Sequence, residues 1–494
     1  MCPAAEICQY DTCTCPIYGD TFCSASNTCV NTQTDPANCG GCGKVCPAAT
    51  ACQTGSCVCT QAGLSLCGTS CVNLQTDAND CGSCGNACGG ALVCTGATCR
   101  CPPPLDATAI RETSQAGYSG ANPRIASNGK QAAILFGVKS TATTGAWNVH
   151  LIVVNSDGTR ATASDVVLTT FPDGGTASAG IGDIVWTGST WAAVWDQYWA
   201  RTPGSALTDD IMFQQFAPDG TPQGTPANVS ALTPGPTASG YRLRLAFDAK
   251  LGFAIASAPA GTSTGGTNFQ LLGADGAHPQ SVNTIPMSGF MGPPAIAAQP
   301  GVGWGIVAES QQTGMVFQPA NADGSITVSP ISLSTTNYND SSASLVWDGT
   351  TWVTAWTDLR WTTNTNTMAI VIARGPTLAT HLDVEIGSTA SGIYPLGIAT
   401  LAASGAELSL VWESANSLGG PNQARMARFR GPPSAAAPLV WLTNPTSLVT
   451  TQTISIYTLT AAAVGPTGLL SAWADTRWGP TEVYTQATDF LSCQ

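Results

Sequence analysis

GDIVWTGSTWAAVWD, residues 182–196, reads as two apolar runs joined at the turn TGS. Val, Ile and Trp on either side of a short polar turn are the pattern of an antiparallel hairpin, strands a and b of a unit. After a loop, IMFQQFAPDGTPQGTPANV (211–229) makes a second hairpin, strands c and d. It turns at PDG, where glycine accepts the positive φ that a tight hairpin needs. The a–b outline recurs as PRIASNGKQAAILFGV, RLRLAFDAKLGFAIAS, PAIAAQPGVGWGIVAES, SASLVWDGTTWVTAWTD, LGIATLAASGAELSLVWES and LTAAAVGPTGLLSAWAD, and the c–d turn as NSDG at 155, APDG at 217, GADG at 273 and NADG at 321. With the 182 unit this makes seven. At about 55 residues each, the units have the period of four-stranded propeller blades. The expected fold is all-β: a seven-bladed β-propeller over residues 107–494. Six or eight blades stay open, because the boundaries of blades 3 and 6 are weakly marked. The last unit has only three strands after residue 455, and ATAIRETSQAG (107–117) is placed to supply the missing outer one, closing the ring.

Composition bounds the function. Charged residues are 10% of the chain and apolar ones 43%, with 14 Trp, so low charge here does not mean disorder. A net charge of −13 with only 17 scattered Lys and Arg argues against nucleic acid. No apolar run is long enough to span a membrane, and MCPAAEICQYDTCTC carries no signal peptide at its start.

Twenty of the 21 cysteines fall between Cys2 and Cys101. The pattern C-x5-C-x4-C-x-C occurs at Cys2, Cys8, Cys13, Cys15, at Cys46, Cys52, Cys57, Cys59 and at Cys88, Cys94, Cys99, Cys101. Between these lie Cys23, Cys29, Cys39, Cys42 and then Cys67, Cys71, Cys81, Cys84. Zinc would use Cys39/Cys42 and Cys81/Cys84 as CxxC knuckles. Disulfides are favoured instead, because this head has no histidine and too little apolar content for a core. Neither CxxC is followed by His, which disfavours haem, and eight cysteines allow 105 connectivities. Residues 1–101 are therefore read as a disulfide-rich region of one half and two full repeats, and the prolines of 102–106 as a stiff linker. Disulfides imply a secreted or cell-surface protein; since the first unit is a half-repeat, an export signal is expected upstream of this sequence. The matching texts TDPANCGGCG and TDANDCGSCG resemble the stigma-specific-protein-like cysteine repeat. That resemblance implies secretion, in plants or in exported proteins of myxobacteria and their relatives, and is nearly silent on function.

AWTDLRW (355–361) returns as AWADTRW (472–478), two units later. Acids near the end of strand b recur as Asp196, Glu309, Asp358, Glu413 and Asp475, which suggests a stacking role. Asp358 and Asp475 are expected to pair with Arg360 and Arg477 or to receive backbone N–H groups. The b–c loops are long and different in each unit, and variable loops on a rigid scaffold are where binding resides. They and their flanks carry Trp147, Tyr198, Trp199, Arg201, Trp361 and Trp478. Aromatic faces beside Asp, Asn and Arg suit sugar rings; covering the blade ends is the plainer use of the same residues.

Enzyme motifs are sparse. The three histidines, His150, His278 and His381, sit in no nucleophile motif, and GxSxG, HExxH and P-loop patterns are absent. A glycosidase needs two carboxyl groups across the sugar, which the five strand-b acids offer. The body resembles sialidase-like secreted propellers with W-x-D-x-R blades, but WDGTTW (347–352) departs from the S-x-D-x-G-x-x-W box, and no arginine triad is assigned. No cofactor is expected. The Asp-Gly turns offer oxygens for a structural calcium, although isolated ones are usually plain turns. Cys493 is odd: it is read as pairing with a cysteine outside this sequence, linking two molecules or staying free. These features favour an extracellular binding protein whose long-loop face holds a glycan or protein partner. A carbohydrate-active hydrolase or lyase, and a structural component of an extracellular assembly, are the alternatives.

Overall fold

The computed structural model describes residues 7–100 and 110–489, except 10–11, 18, 89–92, 114–117, 141–144, 176, 201–204, 206, 231–240, 260–266, 274, 277–278, 286–292, 311–313, 335–340, 359–368, 380–381, 389–393, 405–406, 416–422, 431–439, 448–455, 465–467 and 476–480. The chain forms two compact units, Met1–Pro102 with Phe490–Gln494, and Pro103–Asp489. No helix occurs among the described residues.

The first unit is a series of two-stranded ribbons held by sulfur. Cys15–Cys29, Cys23–Cys42, Cys39–Cys52 and Cys46–Cys57 are bonded. The same four links recur as Cys59–Cys71, Cys67–Cys84, Cys81–Cys94 and Cys88–Cys99. Both CxxC knuckles are thus consumed in disulfides, and zinc is excluded there. The side chains of Cys2, Cys8, Cys13 and Cys101 lie outside the described residues. Cys81 is fully buried and Cys39 nearly so, so the bridges themselves are the core. The glycine after each of these cysteines is required. Gly40 and Gly82 have φ of 69° and 78°, and a Cβ there would collide with the carbonyls of Gly55 and Ala97.

The second unit is a seven-bladed β-propeller of antiparallel four-stranded sheets, so the choice among six, seven and eight falls on seven. The innermost strands are Tyr118–Ser127, Ser178–Trp186, Tyr241–Asp248, Ala295–Gln299, Ser341–Trp347, Tyr394–Ser404 and Ile456–Val464, in blades 1 to 7. Strand b is sandwiched on both faces; in blade 5 all of Trp352–Asp358 is buried. That explains its near-continuous apolar text. The core lies between blades rather than within them. One cluster joins Leu135 and Val149 of blade 1 to Trp191 and Trp195 of blade 2, and another joins Phe317 of blade 4 to Trp352 and Trp356 of blade 5.

The ring closes through the N-terminal strand, as its sequence placement suggested. Ile110–Arg111 pairs antiparallel with Glu482–Asp489, in the register Ile110↔Thr485 and Arg111↔Tyr484, and becomes the outermost strand of blade 7. Arg111 forms an ion pair with Glu482, the Glu112 N–H donates to the Val483 carbonyl at 2.8 Å, and the Thr485 hydroxyl donates to Glu112 Oε1 at 2.7 Å.

The repeated W-x-D text has a local explanation. Residues two apart on a strand share a face. Trp356 Nε1 donates to Asp358 Oδ2 at 2.9 Å, and Trp473 Nε1 to Asp475 Oδ2 at 2.7 Å, all four residues being fully buried. Gln197 takes the acceptor's place in blade 2, at 3.4 Å from Trp195 Nε1. The indole is therefore a partner that the sequence reading did not assign; Arg360 and Arg477 lie outside the described residues. Asp358→Ala strands a buried indole N–H and should lower the propeller's unfolding free energy by about 1–3 kcal/mol. Asp358→Asn, which keeps an acceptor oxygen, should cost less; urea unfolding followed by Trp fluorescence compares the two.

Candidate functional site

Seven residues occupy one register on the innermost strands. Arg124, Asp183, Arg244, Ala295, Ser344, Thr400 and Thr460 pair across their hairpins with Leu135, Val194, Ala256, Val307, Ala355, Val411 and Ala472. Six of them line a cavity of about 230 Å³ on the propeller axis, walled by aliphatic neighbours such as Ile125, Ile184, Ile296 and Leu401. Three consecutive blades contribute charge: Arg124, then Asp183, then Arg244. The described remainder of the ring is small or hydroxyl-bearing. Asp183 Oδ2 accepts the Leu245 N–H of the next blade at 3.0 Å, and Ser344 Oγ accepts the Leu401 N–H of its own next blade at 2.9 Å. These polar side chains tie blade to blade around the channel.

Both guanidiniums feel the charge of the one carboxylate, Asp183. Arg124 and Arg244 turn one N–H each to the carbonyls of Pro123 and Leu243, at 3.0 and 2.7 Å. Arg124 Nε is buried without a hydrogen-bond partner. The surrounding ring strips water from all three groups while the channel keeps them half-exposed. Burial, and then the like charge of Arg244, hold Arg124 down to about 9, against the pull of Asp183. Burial also depresses Arg244, with Asp183 opposing. Burial raises Asp183 above the ordinary carboxylate range, against Arg244, the Leu245 N–H and Arg124. The site carries one positive charge in excess, in an enclosure where charge is poorly solvated. An anion entering it would correct that imbalance.

The cavity reaches Pro293 and Ala343, at the starts of their innermost strands. It therefore extends toward the end of the ring where the b–c and d–a connections emerge. Trp147, Tyr198 and Trp199 belong to that face and are half-buried. Trp199 is anchored, its Nε1 donating to Asp210 Oδ2 at 2.8 Å. Trp147 packs against Gly137 and has the Lys139 ammonium 5.9 Å from its ring centre. None of the three lines the axial cavity. Arg201, Trp361 and Trp478 lie outside the described residues.

The five strand-b acids are not one repeated position. Counted from the strand-b residues that occupy one hairpin register, Trp191, Trp304 and Leu408, paired with Trp186, Ala298 and Ala403, the acids Asp196, Glu309 and Glu413 are five residues on. Asp358 and Asp475 are six on from Trp352 and Leu469, which hold the same register opposite Trp347 and Ala463. An offset of one places the two sets on opposite faces of their blades. In the first set, Asp196 lies opposite Gly180 and Glu413 opposite Gly397, each beside an irregularity in strand a. A Cβ at Gly180 would collide with the Asp196 carboxylate, so that glycine makes room for the acid. All five acids are buried, and none lines a described cavity.

Two further cavities flank the ring. One of about 480 Å³ lies at the a–b turn end of the channel, bordered by Ser127, Trp186, Pro300 and Trp347. Trp186 and Trp347 lean on Trp191 and Trp352, with ring centres 4.5 and 5.1 Å apart. The other, of about 430 Å³, sits at the ring closure, among Glu112, His150, Arg160, Asp165 and Glu482. Its charges are paired with one another: His150 Nδ1 is 2.9 Å from Asp165 Oδ2, and Arg160 forms an ion pair with Asp165 and lies 3.6 Å from Glu112. His150 is therefore a paired strand histidine; His278 and His381 lie outside the described residues. In the Asp-Gly turns, Asp157 and Asp323 each accept the backbone N–H of the second residue on, at 2.9 Å, together with its hydroxyl. These carboxylates brace their own turns.

No protein-family model matches the chain, and no curated protein matches it. Among solved structures, the chain is similar to a phage phi92 endosialidase at 9% identity, over 77% of this chain and 68% of that one, with a TM-score of 0.44. It is similar to a leech intramolecular trans-sialidase at 10% identity, over 76% and 68%, with a TM-score of 0.41. A protein of unknown function from Dyadobacter fermentans is similar at 10% identity, over 77% and 97%, with a TM-score of 0.41. These are likenesses of architecture and carry nothing about the chemistry of this ring.

The charge excess has opposite consequences for its members. Asp183→Asn leaves two guanidiniums without a counter-charge and should destabilise the propeller by about 2–3 kcal/mol, less than for a fully dry pair because channel solvent reaches the site. Arg124→Met removes the surplus charge and should leave stability unchanged or raised. Thermal unfolding of the two variants side by side tests this contrast.

Proposed function

We propose that the protein is an extracellular binding protein whose ligand is an acidic glycan, with a carboxylate- or sulfate-bearing sugar seated in the axial channel. The observation that carries this reading is the pair of guanidiniums, Arg124 and Arg244, around the single carboxylate of Asp183. Planar guanidinium groups match the oxygens of such acids, and the excess charge gives the acid a reason to leave water. A cavity of about 230 Å³ suits one sugar-sized end group. The folded surface of a protein partner is too large to enter it. Trp147, Tyr198 and Trp199, with Arg201, Trp361 and Trp478, then serve the rest of the glycan on the long-loop face. The disulfide-rich head supports an oxidising, extracellular location, and among the described residues no helix is long and apolar enough to cross a membrane. Binding is preferred to hydrolysis because none of Asp196, Glu309, Asp358, Glu413 and Asp475 lines the described cavities.

The test is a panel of uronate-bearing, sialylated, sulfated and neutral oligosaccharides offered to the whole chain, with bound sugar and newly released sugar ends both recorded. Acid-bearing sugars should be retained and neutral ones not. Arg124→Gln and Arg244→Gln should each weaken binding about ten-fold or more, the loss expected for one charged hydrogen bond. Equal retention of neutral sugars, or capture of a protein partner alone, would overturn the reading. Release of sugar ends would transfer it to the hydrolase.

A further inference from the structure

Two disulfides lie side by side in each described cysteine repeat, one inside the other. In the first repeat Cys39 and Cys52 of the inner bridge are buried, whereas Cys46 and Cys57 of the outer bridge are half-buried. In the second, Cys81–Cys94 is the buried bridge and Cys88–Cys99 the half-buried one. The two bridges meet through three sulfurs. The Sγ atoms of Cys39, Cys46 and Cys57 all lie within 4.8 Å of one another, and so do those of Cys81, Cys88 and Cys99. Cys52 and Cys94 stand outside these trios, and no other bridges share such a trio among the described residues. Each member of the second trio is 42 residues beyond its counterpart, so the arrangement belongs to the repeat rather than to one copy of it.

This placement sets a direction. In thiol–disulfide exchange a thiolate attacks one sulfur of a disulfide and the other sulfur leaves. A thiolate formed at Cys46 or Cys57 has Cys39 beside it, so the sulfur that leaves is Cys52. In the second repeat Cys81 is attacked and Cys94 leaves. The leaving sulfurs have matching surroundings. Cys52 Sγ is 3.6 Å from the Thr32 carbonyl oxygen, and Cys94 Sγ is 3.4 Å from that of Leu74. Each carbonyl is placed to accept the S–H of the released thiol.

We infer that each pair of bridges is a thiol-exchange site, through which an external dithiol opens the buried bridge by way of the outer one. The dithiol's thiolate attacks one sulfur of Cys46–Cys57, forming a mixed disulfide and expelling the other as a thiolate. The dithiol's second thiol then displaces the mixed disulfide, and the dithiol departs as a cyclic disulfide. Cys46 and Cys57 now hold its two electrons and its two protons. One of their thiolates attacks Cys39: a bond from Cys39 to the outer pair forms, the Cys39–Cys52 bond breaks, and Cys52 leaves with the electron pair and takes up a proton. The repeat ends with two thiols, one at Cys52 and one in the outer pair. The same steps at Cys88–Cys99 and Cys81 deliver a thiol at Cys94. A bridge buried from the reductant is thus reduced without meeting it.

The full chain, purified without reductant, is treated with a limiting amount of dithiothreitol, quenched with acid, alkylated and digested without further reduction. Mass spectrometry should find label on Cys52 and Cys94, each with one cysteine of its outer pair, and Cys39 and Cys81 joined to the other. Label on both cysteines of the outer pairs, with Cys39–Cys52 and Cys81–Cys94 intact, would overturn the relay. In the double variant Cys46→Ser, Cys57→Ser, opening of Cys39–Cys52 should slow about ten-fold or more, because its nearby nucleophile is gone. Cys81–Cys94, in the untouched repeat, should keep its rate. Faster opening of Cys39–Cys52 in that variant would mean that the outer bridge only braces the repeat, and would also overturn the proposal. The map of the unmodified chain decides the matter even if the variant fails to fold.

Discussion

The ladder between Ile110–Arg111 and Thr485–Tyr484 is short, yet the rest of the propeller depends on it. A blade whose second strand is buried on both faces cannot cover itself; it needs a neighbour on each side. The apolar clusters accordingly straddle blade pairs, and the one that joins Leu470 and Val483 to Ile134 and Ile152 spans the gap between the last blade and the first. Without closure, that cluster would be split, and strand edges would stand open. The charged part of the axial ring likewise depends on neighbours: Asp183 accepts a backbone N–H from one adjacent blade and feels the charge of an arginine on the other, so three consecutive blades build its environment.

Much of this fold is legible in the sequence because its signals are local. Hairpins such as WTGSTW and WDGTTW, and the Asp-Gly turns, announce themselves within a few residues, and their recurrence counts the blades. The outer strand at Ile110–Arg111 could be placed because the last unit is visibly one strand short. The acids were harder. Counting back from the end of strand b makes Asp196 and Asp358 look equivalent. Counting forward from the hairpin pairs Trp186–Trp191 and Trp347–Trp352 separates them by one residue, hence by one face. Read from the end, a side chain opposite a strand-a glycine was taken together with one that receives an indole.

The axial ring escaped for a different reason. Arg124, Asp183 and Arg244 lie about 60 residues apart, Arg244 with Arg242 on its own strand, and nothing local marks the three as neighbours. Their signal is register: each directly precedes an aliphatic residue of strand a, as Ala295, Ser344 and Thr400 do. Superimposing the seven a–b segments on their hairpin turns would have shown charge in three successive units and small or hydroxyl residues in the others. The cysteine head was the converse case. Its repeat was plain in the text, whereas its connectivity needed geometry, because 105 pairings satisfy the same spacing.

The charged arc also breaks a symmetry. Seven similar blades give a backbone with nearly equivalent settings around the axis, so a rod-like or uncharged guest could rotate among them. Arg124, Asp183 and Arg244 fill one side of the circle, while Ala295, Ser344 and Thr460 face them from the other. The channel thus has a transverse polarity, and an asymmetric guest meets a single favoured azimuth in it. The repeated scaffold behaves like a lock with one keyed sector, in which orientation is chosen by three side chains while the blades themselves remain interchangeable.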